Sequence, residues 1–157
     1  MTDKGPDVAL LCYDGSEDSG HALERSTAIL GGHEVVVMYV YESMLAVQAG
    51  DFPYPDMLPL EDVEKVDDAA RQRSLAVAGA GCDLLRAAGF DATPAAVESV
   101  GAVWRTILAE ADSRDAAVIV LGSRGLTGVR SMVLGSVSHR VVNHSHRPVL
   151  VIPNVSE

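Results

Sequence analysis

Between Ala116 and Ser156 the chain contains no aspartate and no glutamate, although 21 of its 22 acidic residues precede that stretch and its formal net charge is −10. Lysine stops at Lys65, which excludes a G-x-x-x-x-G-K-[ST] phosphate loop from the later, glycine-rich part. Neither G-x-G-x-x-G nor the nucleophile elbow G-x-S-x-G occurs there. The two cysteines, Cys12 and Cys82, are too few and too distant for a disulfide framework or a CxxC metal knuckle, and read as buried thiols of a reduced cytoplasm. Aromatics make up 4% of the residues; a chain poor in them but rich in Val, Ala and Leu suits a sheet covered by helices better than a small barrel. No apolar run approaches the roughly 18 residues of a membrane span. The first run, Val8 to Tyr13, is too short for a signal peptide and has acids on both sides. The negative balance argues against nucleic acid or an anionic membrane as partner. What remains is a soluble cytoplasmic protein, read as one domain over residues 1–157.

What is present alternates between short apolar runs and helical periodicity. Val8 to Tyr13 reads as a strand covered on both faces and ends in Asp14-Gly15-Ser16. A helix follows through Leu30, with Ser16 as N-cap, Glu17 and Asp18 in the first turn, and Gly31-Gly32 as the stop. Glu34 to Tyr41 gives a second buried strand. Residues 43–60 carry Pro53, Pro55 and Pro59 among Met, Leu, Phe and Tyr; such a loop is a lid over a site, a partner interface, or an ordinary packed loop. The acids between Asp51 and Asp68 read as a solvated loop and helix start. A long helix is expected from Glu61 to about Ala88, weakened in its middle by Gly79 and Gly81. Thr93 to Val100 is the poorest strand candidate, Trp104 to Ala111 a short helix, Ala116 to Leu121 a third buried strand, and Pro148 to Pro153 the last. Alternation at this spacing means βαβ units, right-handed crossovers and a five-stranded parallel, doubly wound sheet with helices on both faces. Ligands in such sheets lie beyond the carboxyl ends of the strands, where the winding reverses.

Two strand ends carry glycine and polar residues: Asp14-Gly15-Ser16 and Gly122-Ser123-Arg124-Gly125. Glycines after a strand let the backbone turn sharply and present N–H groups with no Cβ in the way. Gly135-Ser136 then opens a helix to about Asn143, whose N-terminus suits an anion. Arg124, Arg130, Arg140, Arg147 and three histidines fall in the acid-free stretch, an arrangement that protects an anion site in an otherwise acidic protein. The competing reading is that packing there simply left no room for carboxylates.

The spacing Gly122-x2-Gly125-x9-Gly135-Ser136, after one buried strand and before Arg147-Pro148-Val149-Leu150-Val151, resembles the ATP-binding signature of the universal stress protein family. The likeness covers nearly the whole chain, including Asp14-Gly15-Ser16 and the second strand ending Tyr39-Val40-Tyr41-Glu42. It implies a Rossmann-like fold of the adenine-nucleotide alpha-hydrolase type. It also implies an adenine nucleotide as ligand: ATP, or AMP or ADP, with Mg as a possible companion. Asp14 would sit at the ribose or adenine side and Val40 would meet adenine through its backbone. Gly122 and Gly125 would line the ribose and phosphate path. Gly135, Ser136 and Val137 would receive phosphate at the helix start, with Gly15 and Ser16 in the first turn nearby. Arg124 and Arg130 are assigned to phosphate from charge. A homodimer through the strand Pro148–Pro153 is implied as well, and that apolar edge strand would tend to pair in any case. Ala117 stands where family members often carry an acid; with Asp115 close by, the departure touches a strand start.

Each residue also has a plainer role. Asp14 and Ser136 could serve as helix caps, and Cys12 as core. His139 and His144 are five residues apart with no acid beside them, which fits solvent-facing side chains better than a metal site. No catalytic residue and no metal ligand set is assigned. A nucleotide-dependent regulatory switch or sensor needs none, and any turnover to ADP would be slow because nothing positions a water. An adenylating enzyme is the alternative: Gly15, Asp18 and Ser19 match the S-G-G-x-D-S loop of ATP pyrophosphatases, while Asp14 and Ser16 replace its serine and a glycine. An interaction module without nucleotide is the third reading.

Overall fold

The computed structural model describes residues 7–44, 59–99, 101–124 and 134–153. Five strands form one parallel sheet: β1 (Val8–Cys12), β2 (Glu34–Tyr41), β3 (Ala92–Glu98), β4 (Ala116–Gly122) and β5 (Val149–Ile152), ordered β3-β2-β1-β4-β5. Among the described residues four helices connect them: α1 (Glu17–Ser26), α2 (Leu60–Ala87), α3 (Val103–Ser113) and α4 (Ser136–His144). The order steps outward from β1 to β3, then restarts on the other side of β1 with β4. With right-handed crossovers, that reversal places α1 and α2 on one face and α3 and α4 on the other. Side-chain alternation along the strands confirms it. Ala9, Leu11, Val35, Val37 and Val120 pack with Ala22, Leu23, Ala78, Cys82 and Leu85 of α1 and α2. Leu10, Val36, Met38, Ile119 and Leu121 pack with Ile107, Ala111 and Val141 of α3 and α4. The expected doubly wound fold is therefore observed. No helix among the described residues is long and apolar enough to cross a membrane.

Boundaries differ from expectation where side chains compete with the helix. α1 stops at Ser26, not Leu30. The hydroxyls of Ser26 and Thr27 donate back to the carbonyls of Leu23 (2.7 Å) and Glu24 (2.6 Å), and the turn tightens. β3 runs Ala92–Glu98 and includes Pro94, which an edge strand tolerates. Met44 lies at the start of the Pro-rich loop, its N–H bonded to the Asp67 carboxylate, and Ser43 donates to Glu98. The lid expected of that loop otherwise lies outside the described residues.

The two glycines that weakened the long helix have unequal roles. Nothing lies within 4 Å of a Cβ built at Gly79. At Gly81 such a Cβ would come within 2.8 Å of Val37 Cγ1, 2.9 Å of Tyr13 Cδ1 and 3.1 Å of Leu23 Cδ2. Gly81 is thus the point where α2 lies against the sheet. At the opposite, amino edge, Arg147 ties three elements together. It donates to Asp112 (2.9 Å) at the end of α3, to Asp115 (2.9 Å) in the following turn, and to the Ala116 carbonyl (2.8 Å) at the start of β4. Asp115 itself has φ +48°, a left-handed conformation that Asp accepts more readily than most residues.

Gly79→Ala should raise stability by about 0.5–1 kcal/mol, since alanine is the better helix former and fills open space. Gly81→Ala should lower it by about 1–3 kcal/mol through overpacking. Urea midpoints of the two variants would show the opposite signs.

Candidate functional site

β1 is the shortest of the three central strands at its carboxyl end, and the site begins with that shortness. Cys12 is the last β1 residue in register with β2, opposite Met38, and Tyr13 N–H still reaches the Met38 carbonyl at 2.9 Å. In a parallel ladder alternate residues turn both peptide groups to the same neighbour. Met38 therefore faces β1, Tyr41 faces β3 (its carbonyl accepts from Ser99 N–H at 2.6 Å), and Val40 again faces the β1 side. By then β1 has ended. The Val40 N–H and C=O point past it, and among the described residues neither has a backbone partner.

They open on a cavity of about 440 Å³ over the carboxyl ends of β2, β1 and β4, where the winding reverses. Its walls are Cys12, Tyr13 and Asp14 after β1; Ser19 of α1; Met38, Tyr39 and Val40 of β2; Val103 and Ile107 of α3; Leu121, Gly122 and Arg124; and Gly135 to Ser138 at the start of α4. Of the residues expected here, Asp14, Val40, Gly122, Arg124, Gly135, Ser136 and Val137 are brought together. Gly15 and Ser16 are not on the wall. Gly15 makes the turn at φ +80°, and Ser16 caps α1 by accepting from Ser19 N–H at 3.2 Å. Gly125 and Arg130 lie outside the described residues.

The polar end is built from backbone. Gly135, not Ser136, is the N-cap of α4, and no side chain caps that helix. Its first internal bond runs from His139 N–H to the Gly135 carbonyl at 2.9 Å, so the amides of Ser136, Val137 and Ser138 have no acceptor within the helix. Ser138 Oγ donates to the Gly122 carbonyl at 2.8 Å, pinning α4 to the end of β4. Glycine is demanded at two points of this junction. A Cβ at Gly122 would lie 3.2 Å from the Asp18 carbonyl oxygen, and one at Gly135 would lie 3.3 Å from that of Ser123. Both neighbours are backbone and cannot swing aside.

Among the described residues, two charged side chains line the cavity, Asp14 and Arg124. Asp14 Oδ1 accepts from Ser16 N–H at 2.9 Å, which fixes the carboxylate at the strand end. Arg124 Nε lies 3.1 Å from Asp18 Oδ2, a pairing that no local sequence pattern signals. Burial, and then the Asp14 carboxylate, push the Cys12 thiol up to about 12, so it is an uncharged wall of the cavity and a poor nucleophile. The other described basic residues of the acid-free stretch are elsewhere: Arg140 is exposed, Arg147 is at the amino edge, and His139, His144 and His146 are exposed. His144 stacks on Trp104 with centroids 4.6 Å apart. Among the described residues no three His, Cys, Asp or Glu side chains gather as metal ligands.

The site's missed residues have readable causes. Met38 belongs to the alternation that includes Val40, and Ser19 lies one turn after the Ser16 cap. Ser138, Val103 and Ile107 reach the cavity only because α3 and α4 share a face of the sheet, which no local pattern states.

Comparison with known proteins agrees with this geometry. A universal stress protein of Thermus aquaticus is 31% identical over 150 residues, covering 91% of this chain and 96% of the relative. Universal stress protein YxiE of Bacillus subtilis is 25% identical over 144 residues, covering 91% and 96%. Among solved structures, UspA from Lactobacillus plantarum superposes with a TM-score of 0.71 at 19% identity, covering 96% of this chain and 99% of that one. A universal stress protein in complex with cAMP gives 0.62 at 24% identity, covering 96% and 98%. One from Archaeoglobus fulgidus in complex with dAMP gives 0.56 at 21%, covering 94% and 97%. The model of the universal stress protein family matches residues 7–153, and with the fold and both relatives in agreement, the chain belongs to that family.

Proposed function

We propose that this protein binds an adenine nucleotide, ATP in the first place, in the cavity at the switch point and acts as a nucleotide-dependent switch or sensor in a cytoplasmic stress response. One observation carries the reading. The Val40 peptide, without a backbone partner among the described residues, and the uncapped amides of α4 open on the same cavity, beside Gly122 and Gly135. A C=O and an N–H two bonds apart match the amino group and ring nitrogen of adenine. Met38, Ile107, Leu121 and Val103 supply apolar surface for the base. Phosphate oxygens are received by the amides of Ser136 to Ser138 and the Ser136 hydroxyl, with Arg124 beside them. Asp14 takes ribose hydroxyls, or a Mg ion held mainly by phosphate. The relatives in complex with cAMP and dAMP support the choice of adenine. Asp14 is the one carboxylate on the wall among the described residues, and with one oxygen already accepting from Ser16 it is poorly placed to activate water. Turnover is accordingly absent or slow.

Among the described residues nothing pairs with the outer edge of β5, which supports a homodimer. Ser123 N–H bonds to the Ile152 carbonyl at 2.9 Å and Ile119 N–H to that of Pro148 at 3.0 Å. Residues 148, 150 and 152 therefore face β4, while Val149 and Val151 turn their peptide groups outward, between prolines that limit the pairing.

Protein purified without added nucleotide, then denatured, should release near-stoichiometric adenine nucleotide identifiable by chromatography and mass; an empty protein that also ignores added ATP would sink the reading. Ser136→Asp places an acid in the first turn of α4 and should stabilise the helix by about 0.3–1 kcal/mol. The same change should weaken ATP binding by about tenfold or more through like-charge repulsion. Melting curves and calorimetric titration would read these opposite effects. For the dimer, light scattering should give twice the chain mass of 16.5 kDa, and Val151→Pro, which removes an outward N–H while leaving the β4 ladder intact, should give the single mass.

A further inference from the structure

The cavity holds an arginine whose charge is already matched. Arg124 lines it, whereas its partner Asp18, in the first turn of α1, does not. Their side chains are 16% and 17% exposed, with Nε and Oδ2 3.1 Å apart. α1 and α4 occupy opposite faces of the sheet, and Arg124 lies at the α4 side: its Cα is 3.5 Å from a Cβ built at Gly135. The guanidinium thus reaches back across the crevice to the other layer. The backbone is shaped for this, since only glycine at 122 lets the first turn of α1 come so near the end of β4. Gly122 therefore admits Asp18 as much as any ligand.

We propose that Asp18 sets the site's preference for the number of phosphates on its nucleotide, a role that rests on the nucleotide reading above. Asp18 holds Arg124 in the wall as a neutral pair. An incoming phosphate meets the guanidinium with its counter-ion attached, and Asp18 opposes each further unit of phosphate charge. The partly buried setting weakens solvent screening of that opposition. Asp18 is a positioning residue: it acts through Arg124 and touches no ligand. The uncharged amides of α4 serve any phosphate, whereas the pair responds to how much charge the phosphates carry. Removing the carboxylate should favour the most highly charged nucleotide most.

The test is calorimetric titration of AMP, ADP and ATP into the parent chain, Asp18→Asn, Asp18→Glu and Arg124→Gln. Asp18→Asn should tighten ATP about fivefold, the scale of one exposed-to-partly-buried charge pair, ADP by less, and AMP by less than about twofold. Arg124→Gln should weaken ATP by a similar factor and flatten the ATP-to-AMP ratio. Asp18→Glu, which restores the charge, should return that ratio towards the parent value even where its melting temperature differs. A uniform change across the three nucleotides in Asp18→Asn, or weaker ATP binding, overturns the proposal while leaving the nucleotide reading intact. A parent chain that binds none of the three overturns both.

Discussion

The site depends on a difference in length between two adjacent strands. β2 continues to Tyr41 while β1 pairs only to Cys12 opposite Met38, and hydrogen-bond parity then leaves the Val40 peptide facing space. Buried backbone groups without partners are costly, so such an opening persists only where water or a ligand can enter. The parallel register supplies a donor and an acceptor at a fixed spacing without spending a side chain on them. β2 is held from its other side, where β3 pairs with it as far as Tyr41 opposite Glu98, so the strand that carries the Val40 peptide stays in the sheet beyond the end of β1.

Around that opening the remaining parts follow from where the sheet's winding reverses. β1 and β4 are neighbours, yet their helices leave in opposite directions. The turn after β1 therefore brings Asp14 and the turn after β4 brings Gly122 and Arg124 to the same crevice. α4 starts on the far side of that crevice with a glycine cap and no acid in its first turn. α1 starts with Glu17 and Asp18 in its first turn. The two helix starts facing the crevice thus have opposite electrostatic character: one is already compensated by carboxylates and the other is left open.

Much of this was legible in the sequence. Apolar runs located β1, β2, β4 and β5, because strands buried on both faces carry an unbroken hydrophobic signal. β3 was marginal for the converse reason: it is an edge strand of alanines, a proline and a glutamate, half-buried through most of its length. Gly81 looked like a defect in a helix and is a contact with the sheet, a distinction that needs the partner helix and strand in place. The glycine spacing pointed to the two strand ends, after β1 and β4, that meet at the cavity. The Asp18–Arg124 pair was invisible, since nothing local couples the first turn of α1 to a loop more than half the chain away. Of the basic residues in the acid-free stretch, Arg124 lines the cavity, while Arg140 and Arg147 lie away from it. Arg147, which also falls in the acid-free stretch, answers acids that lie just before it, at Asp112 and Asp115.

That last arrangement shapes how occupancy can be communicated. Arg147 fastens the end of α3, the start of β4 and the approach to β5 at the edge of the sheet farthest from the cavity. Trp104, in the first turn of α3, against His144, at the end of α4, ties those two helices to each other along one face of the sheet. The molecule is stapled at its base by Arg147 and open at its rim. On the nucleotide reading proposed above, a bound ligand would act on the part of the molecule least tied together, and the surfaces of α1 and α4 beside the crevice are where its presence would show.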